Sequence, residues 1–153
     1  MSFLYKLSYD KDTGHFTWVV GPLKGKRAGC MNKDGYWVIR VYGTLYYAHR
    51  LAYMKVNGTP PTLEIDHLNG VRDDNRWSNL REVTSTVNKQ NVRAARSSNA
   101  HSGLLGVMKN GRNWAAQIII NGSRKCLGTY STPEEAHQAY ITAKRQHHEG
   151  CTV

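Results

Sequence analysis

The first third of the chain carries short apolar segments separated by polar turn residues, a pattern typical of β-strands. "GHFTWVV", residues 14–20, alternates large and small residues, and "YWVIRVYGTLYYAH", residues 36–49, predicts two strands joined at Gly43-Thr44. Glycine, asparagine and aspartate between these segments mark turns. We therefore expect β-hairpins over residues 5–47.

The period changes at residue 48. "AHRLAYMKVN", residues 48–57, places Leu51, Ala52 and Met54 on one helical face, and Gly58 with the prolines that follow should end the helix. A strand "TLEID", a turn-rich loop, a strand "LREV" and a helix over "TVNKQNVRAAR" come next, the last one capped by Thr84 or Ser85.

The pattern resets after residues 97–103, "SSNAHSG", which have the composition of a linker. "LLGVMKN", "NWAAQIII" and "SRKCLGTY" predict three strands joined by tight turns. "STPEEAHQAYITAKRQHH" then predicts a helix with an N-cap, proline at its first position and acids in its first turn. The expected fold class is α+β: N-terminal hairpins and a ββα core, then a three-stranded antiparallel sheet with one packed helix.

Composition and charge indicate the class of binding partner and argue against a membrane-spanning or secreted protein. The 153 residues carry a net charge of +10 with a pI near 9.7, which favours a polyanion such as nucleic acid, although solubility alone could account for it. No apolar run is long enough for a membrane span, the N-terminus lacks a signal-peptide pattern, and three scattered cysteines form no CxxC pair. We expect a reducing cytoplasm, no membrane and no small-molecule substrate.

Four residues carry the candidate chemistry. Asp66 and His67 end a strand, where adjacent side chains point to opposite sides, so one could reach a metal ion and the other a water molecule. Asn88 could lend an amide oxygen to the same ion, and Asn79 could bond backbone and hold His67 in position. Each residue also has a plainer explanation as a strand end, a buried histidine, a turn residue or an exposed helix residue. Their combination at this spacing favours phosphodiester hydrolysis.

The segments "AHRLAYMKVNG", "EIDHLNG", "DDNRWSNLREVT" and "NKQN" resemble the HNH (ββα-metal) endonucleases of phage and intron-encoded homing enzymes, over residues 5–92. The resemblance implies that Asp66 and Asn88 bind the metal, His67 is the general base and Asn79 orients it. The third residue of the motif is often histidine and here is Asn88. Because oxygen ligands suit hard ions, we expect one Mg²⁺, with Mn²⁺ able to substitute.

The resemblance also suggests DNA contacts in the first half of the chain. The family places His49 and Arg50 near DNA, although a buried, hydrogen-bonded histidine is equally compatible. Three further arginines are expected either to contact phosphate or to pair with Asp73 and Asp74. They are Arg72, Arg76 and Arg81.

Residues 105–141 resemble the APETALA (ethylene-response-factor) DNA-binding domain, through Gly-Val, an aromatic followed by Ala-Ala-x-Ile, Leu-Gly-Thr-aromatic, Glu-Glu-Ala and Ala-Tyr. By this resemblance Arg124 matches a DNA-contacting arginine, whereas Cys126, Ile119 and Met108 replace a tryptophan and two arginines of plant members. A sheet of this kind fits a major groove. The side chains that the sheet offers are Lys109, Arg112, Asn113, Gln117, Arg124 and Lys125.

The sequence thus predicts a nuclease domain over 1–92, a basic linker over 93–104 and a DNA-binding domain over 105–153. Arg93 and Arg96 of the linker could follow the DNA backbone, or the linker could be a plain tether. The function expected is that of a metal-dependent endonuclease acting on double-stranded DNA as a monomer or a homodimer. The alternative is a non-catalytic DNA-binding protein on a nuclease-derived fold. An RNA-binding protein is disfavoured because the aromatic RNP pattern is missing.

Overall fold

The structure is a computed structural model that describes residues 3–95 and 102–152. It divides into two compact units, Met1–Ser85 and Thr86–Val153. The described elements alternate small antiparallel sheets with helices, which confirms the predicted α+β class. The predicted domain bounds 1–92, 93–104 and 105–153 stay a prediction.

The first unit contains three small antiparallel sheets and one helix. Their bounds are β1 Leu7–Tyr9, β2 Phe16–Trp18, β3 Cys30–Met31, β4 Trp37–Val41, β5 Thr44–Tyr47, α1 Ala48–Asn57, β6 Glu64–His67 and β7 Leu80–Val83. β1 pairs with β2, β4 lies between β3 and β5, and β6 pairs with β7. Single 3₁₀ turns cover Leu4–Lys6 and Trp77–Asn79.

The β4–β5 hairpin and α1 follow the sequence prediction closely. Tyr42 and Gly43 join β4 to β5 with φ of 49° and 79°, and positive φ at both central residues is what a tight hairpin turn requires. Leu51, Ala52 and Met54 are buried on one face of α1 as predicted. Gly58 ends α1 in the left-handed conformation, with its N–H donating to the carbonyl of Met54.

One core holds the first unit together. Buried side chains from the first two strands, from β4, from α1 and from the β6–β7 hairpin form a single cluster, which includes Leu7, Phe16, Ile39, Leu51, Ile65 and Leu80. The β6–β7 hairpin is therefore fixed to α1 and β4 by apolar packing rather than by its own few hydrogen bonds.

The second unit consists of α2 (Ser85–Gln90, whose first residue belongs to the first unit), β8 (Val107–Asn110), β9 (Asn113–Ile120), β10 (Ser123–Tyr130) and α3 (Pro133–His147). β9 is the central strand of an antiparallel sheet. α3 packs on this sheet, with Val107, Ala116 and Ala136 at the centre of the contact. The capping box between Thr132 and Glu135 begins α3, with Pro133 at the first helical position as the sequence predicts.

The helix predicted over residues 86–96 is shorter than expected. It ends at Gln90, and the N–H of Asn91 closes a turn on the carbonyl of Asn88, 3.0 Å away. The carbonyl of Val92 accepts a hydrogen bond from Lys144 at 2.6 Å instead of continuing a helical ladder. A residue 52 positions away thus replaces the local bond, and no helical period could reveal it.

Within the described residues, no helix has the length and apolar character needed to cross a membrane.

Candidate active site

Asp66 lies on β6 directly opposite Arg81 of β7. Only 6% of Asp66 is exposed, and its Oδ2 accepts from Arg81 Nε at 3.0 Å and Nη2 at 2.8 Å. A buried carboxylate requires such a partner, because an isolated charge away from water is costly. Arg81 therefore pairs with Asp66, which the sequence analysis did not anticipate when it offered Asp73, Asp74 or phosphate.

His67, the next residue of β6, is 5% exposed. Its Nε2 lies 3.4 Å from Oδ1 of Asn75, at the long end of hydrogen-bond distances, and its ring meets that of His49 edge-on with centroids 5.1 Å apart. Burial lowers the pKa of His67 below its usual value, against the opposing effects of Asn75 and Asp66. The imidazole is therefore neutral near pH 7, the form in which it can accept a proton.

Asn79 fastens the loop that joins β6 to β7. Its Oδ1 accepts from the backbone N–H of Asn69 at 2.9 Å, and its Nδ2 donates to the backbone carbonyl of Asp74 at 2.8 Å. Asn79 is 7% exposed, and both bonds are half-buried. The side chain bonds backbone, as the sequence led us to expect. It fixes the start and the middle of the loop rather than the imidazole itself.

Asn75 was missed by the sequence analysis. It is 2% exposed, contacts His67 through Oδ1, donates from Nδ2 to the carbonyl of Asp73, and accepts from Tyr9 at its own carbonyl at 2.7 Å. Gly14 packs so closely here that a Cβ on it would lie 2.4 Å from the carbonyl carbon of Asn75. In a turn-rich stretch with several asparagines, nothing in the sequence distinguishes this one.

His49 and Arg50 stand at the start of α1. His49 is 8% exposed, its ring stacks on Tyr47 with centroids 5.4 Å apart, and its Nδ1 is buried without a hydrogen-bond partner among the residues described. Burial first, then His67 and Arg50, lower the pKa of His49 to about 3. Arg50 donates to the carbonyls of Pro61 and Leu63 at 3.3 and 3.4 Å. The expected DNA contact of this pair stays a prediction.

The two loop arginines differ in their contacts. Arg76 forms an ion pair with Asp74, with 2.7 Å from Nε to Oδ1 and 2.5 Å from Nη2 to Oδ2, and this pair lowers the pKa of Asp74 to about 2. Arg72 donates to the carbonyl of Asp34 at 2.8 Å and lies over the ring of Tyr36. The pairing alternative thus holds for Arg76, while Arg72 bonds a backbone carbonyl.

The predicted metal ligands belong to different units. Asp66 lies in the first unit, and Asn88 lies on α2 within the second. Across residues 3–95 and 102–152, no group of three or more histidine, cysteine, aspartate or glutamate side chains is placed to hold a metal ion. One carboxylate and one amide are nevertheless both oxygen donors, which fits a hard divalent cation that keeps most of its waters.

The sheet of the second unit separates the predicted DNA contacts into two sets. Ile119 faces Arg124 and Gln117 faces Cys126 across β9 and β10, so these four side chains share the face opposite to the buried Ile118. Lys125 pairs with Ile118 and lies on the α3 side by register.

The remaining predicted contacts lie elsewhere. Lys109 Nζ lies 4.1 Å from the ring centre of Trp114, and Arg112 is exposed at the β8–β9 turn. Arg93 donates to the carbonyl of Thr152 at 2.7 Å. Arg96 lies outside the described residues.

Comparison with known proteins identifies the central segment. Residues 46–90, from β5 through α2, match the family model of the HNH endonucleases. The chain therefore contains an HNH endonuclease domain, which confirms the HNH resemblance, and nucleases of this class use a divalent metal. The APETALA resemblance stays a prediction.

Searches of whole chains add one structural similarity. No curated protein matches the chain. A solved structure, described as "DNA binding and cleavage by the HNH homing endonuclease I-HmuI", is similar with a TM-score of 0.46 and 23% identity, over 94% of this chain and 88% of that chain.

Proposed function

We propose that the protein is a metal-dependent DNA endonuclease of the homing type, encoded by a phage or an intron, that hydrolyses phosphodiester bonds. The observation that supports this most is the HNH endonuclease domain over residues 46–90, with Asp66 and His67 adjacent on one buried strand. The substrate is double-stranded DNA.

His67 serves as the general base in this proposal. Its buried imidazole is neutral at physiological pH, so it can take the proton from the attacking water without first losing one of its own. Asn79 acts at a distance: it fixes the backbone of Asp74, which is adjacent to Asn75, and Asn75 contacts His67 Nε2. The imidazole is thereby aligned through the loop.

Asp66 and Asn88 are the proposed ligands of one divalent cation, Mg²⁺ or in its place Mn²⁺. When bound, the ion would stabilise negative charge on the phosphate and on the departing oxygen. The chain contributes a carboxylate whose Oδ2 is already fixed by Arg81, so its orientation is set before any cation arrives. Two oxygen ligands leave coordination positions for phosphate and water.

DNA binding is proposed to use both units. The net charge of +10 favours a polyanion. Gln117 and Arg124 of the open sheet face are the best placed of the predicted contacts for a groove, because α3 covers the other face. The other proposed contacts with DNA are His49, Arg50, Arg72, Arg76, Arg93, Arg96, Lys109, Arg112 and Lys125.

A test uses linear duplexes labelled on either strand and incubated with the protein in Mg²⁺ or in EDTA. We expect cleavage only with the metal, and the labelled strands distinguish a nick from a double-strand break. The wild-type protein without DNA in the same buffer controls for metal-induced aggregation. Binding of the duplex without cleavage in Mg²⁺ and in Mn²⁺ would contradict the enzyme proposal.

One observation favours the second candidate, a non-catalytic DNA-binding protein. The ion pair between Arg81 and Asp66 neutralises the single carboxylate assigned to the metal. If this candidate is right, the wild-type protein cleaves no DNA. Arg81→Met, which removes the charge that neutralises Asp66, would then produce no cleavage either and would only destabilise the β6–β7 hairpin.

A further inference from the structure

The segment that carries Asn88 has its described anchors in the second unit. Residues 86–93 contain most of α2 and the chain that follows it, and they are grouped with the sheet and α3. α2 has only six residues and buries none of them, so it cannot hold its position through its own hydrogen bonds. Something outside the helix must fix Asn88.

Lys144 of α3 provides one anchor. Its side chain is fully buried, with 1% of the residue exposed, and Nζ donates to the carbonyl of Val92 at 2.6 Å. Buried lysines are rare because the ammonium group loses its water. Burial accordingly lowers the pKa of Lys144, and Arg93 acts in the same direction. The hydrogen bond to Val92 partly offsets the free-energy cost of burying Lys144 and fixes the chain just beyond α2.

The C-terminal tail, residues 148–152, provides the second anchor. The carbonyl of Ile119 in β9 lies 2.8 Å from His148 Nε2, which ties the tail to the sheet. Gly150 N–H then donates to Oε1 of Gln90 at 3.0 Å, and Arg93 donates to the carbonyl of Thr152 at 2.7 Å. The tail therefore bridges β9 to the last turn of α2 and to the residues just beyond it.

Packing at Gly150 shows how closely the tail approaches α2. A Cβ on this residue would lie 2.1 Å from the carbonyl oxygen of Val87 and 2.8 Å from Cβ of Gln90. Backbone meets backbone here, so any side chain would push the tail away from the helix turn that contains Asn88. Glycine is required for the approach and not for an unusual φ.

We infer that Lys144 and the C-terminal tail are positioning elements of the metal site, holding Asn88 through α2. The inference rests on the proposed role of Asn88 as a ligand. It goes beyond that proposed function because Lys144 and residues 148–152 lie outside the HNH match over residues 46–90. The nuclease activity should then depend on the last residues of the chain.

The test uses the full-length protein with three substitutions. Gly150→Ala introduces the clash with Val87, Lys144→Met removes the bond to Val92 while keeping an apolar stem, and His147→Ala changes an exposed α3 residue as the matched control. Hydrogen exchange of residues 86–91 measures the anchoring of α2, and exchange of β9 reports whether the unit is folded. The Mn²⁺ concentration that gives half-maximal cleavage measures the effect on the metal.

We expect Gly150→Ala and Lys144→Met to lose protection from hydrogen exchange at residues 86–91 and to keep it in β9. Both variants should also need about tenfold more Mn²⁺ for half-maximal cleavage, which is the usual effect of removing a group that supports a metal ligand. His147→Ala should behave as wild type. Unchanged protection at 86–91 overturns the anchoring. Loss of protection in β9 as well, in both variants, overturns a local role.

Two outcomes separate this inference from the proposed function. If protection at residues 86–91 falls while the Mn²⁺ requirement stays the same, the inference about the metal ligand is wrong even though the enzyme cleaves DNA. If the wild-type protein cleaves no DNA, the proposed function fails, and the exchange experiment still decides whether the tail anchors α2.

Discussion

The two units place their polar side chains in opposite ways. The first unit buries five of them around one hairpin and its loop: His49, Asp66, His67, Asn75 and Asn79. Among the described residues of the second unit only Asn91 and Lys144 are buried polar groups, and the polar residues of its open sheet face are exposed or half-exposed.

This contrast indicates two kinds of site. A buried polar cluster lowers the stability of the fold unless every group in it is hydrogen-bonded. A fully bonded cluster holds its side chains in a fixed geometry, which catalysis needs. Exposed side chains on a regular sheet can be changed with little effect on the stability of the fold, and such a sheet can bind in a DNA groove. Substitutions in the buried cluster of the first unit should therefore act on rate, and substitutions on the open sheet face of the second unit should act on affinity.

Among the substitutions that leave the proposed metal ligands in place, the largest effect is expected for His67→Ala. Removing the general base should reduce the cleavage rate by about 10²- to 10⁴-fold, the usual reach of such a group. DNA affinity, measured by fluorescence anisotropy in Ca²⁺, should stay near the wild-type value. A variant that cuts as fast as the wild type would remove His67 from the mechanism and would break the contrast between the two units.

A smaller effect on rate and a measurable one on stability are expected for Asn79→Ala. The change leaves the half-buried N–H of Asn69 and the carbonyl of Asp74 without their side-chain partner, which should lower the free energy of unfolding by about 1–3 kcal/mol. Cleavage should fall because the loop that aligns Asn75 loosens. Urea denaturation measures the first effect, with Asn113→Ala in the exposed β9 start as the matched control. Equal stabilities of these two variants would contradict the role assigned to Asn79.

The buried histidines His49 and His67 predict a pH dependence of the stability of the first unit. The pKa of His49 is about 3 in the folded chain and near 6.5 when unfolded. As the pH falls below 6.5, His49 gains a proton in the unfolded chain before it does so in the folded chain. The contribution of His49 to the free energy of unfolding is therefore complete above pH 6.5 and decreases toward pH 3. The decrease for one group is at most about 1.4 kcal/mol per pH unit. His67 adds in the same direction, and Arg50 is the fixed positive charge facing His49.

His49→Phe should flatten this decrease, because the phenyl ring keeps the stacking on Tyr47 and has no proton to gain. The free energy of unfolding measured at a series of pH values in urea gives the slope for both proteins. The same slope in wild type and variant would mean that His49 is not the group that titrates.

The smallest effect is expected on the sheet. Arg124→Ala should weaken duplex binding and reduce the slope of log affinity against log salt by about one, as for the loss of one phosphate contact, or relax base preference if the contact is to a base. Lys125→Ala changes a second proposed contact, one residue along and on the α3 side by register, and should reduce affinity less than Arg124→Ala. A larger loss for Lys125→Ala would place the DNA on the other side of the sheet.

The parts of the fold that could be predicted from the sequence depend on neighbouring residues. Gly58 ends α1, the capping box of Thr132 and Glu135 begins α3, and the tight turns on either side bound β9. Each of these signals lies within a few positions of the element it defines. The place of Asp66 and His67 at the end of a strand followed in the same way from "EIDH". These features need no knowledge of the tertiary structure.

The missed features depend on contacts between distant residues. The pairing of Arg81 with Asp66 requires the register of two strands separated by a loop, and the contact of Asn75 with His67 requires the path of that loop. The carbonyl of Val92, just beyond the early end of α2, bonds Lys144 far along the chain. Local periodicity carries none of this information, so the ligand and base assignments could be proposed from the motif while their surroundings could not.

The central proposal is that Asp66 and Asn88 bind one cation and that His67, next to Asp66 in the sequence, is the general base. The direct measurement is the rate of plasmid nicking against Mg²⁺ concentration for wild type, Asp66→Ala and Asn88→Ala, with the exposed Lys89→Ala as control. We predict that nicking by the wild type and by Lys89→Ala saturates with Mg²⁺ and vanishes in EDTA, and that both ligand variants lose it at every concentration. A titration curve for Asn88→Ala that matches the wild type, or nicking that persists in EDTA, would contradict the account.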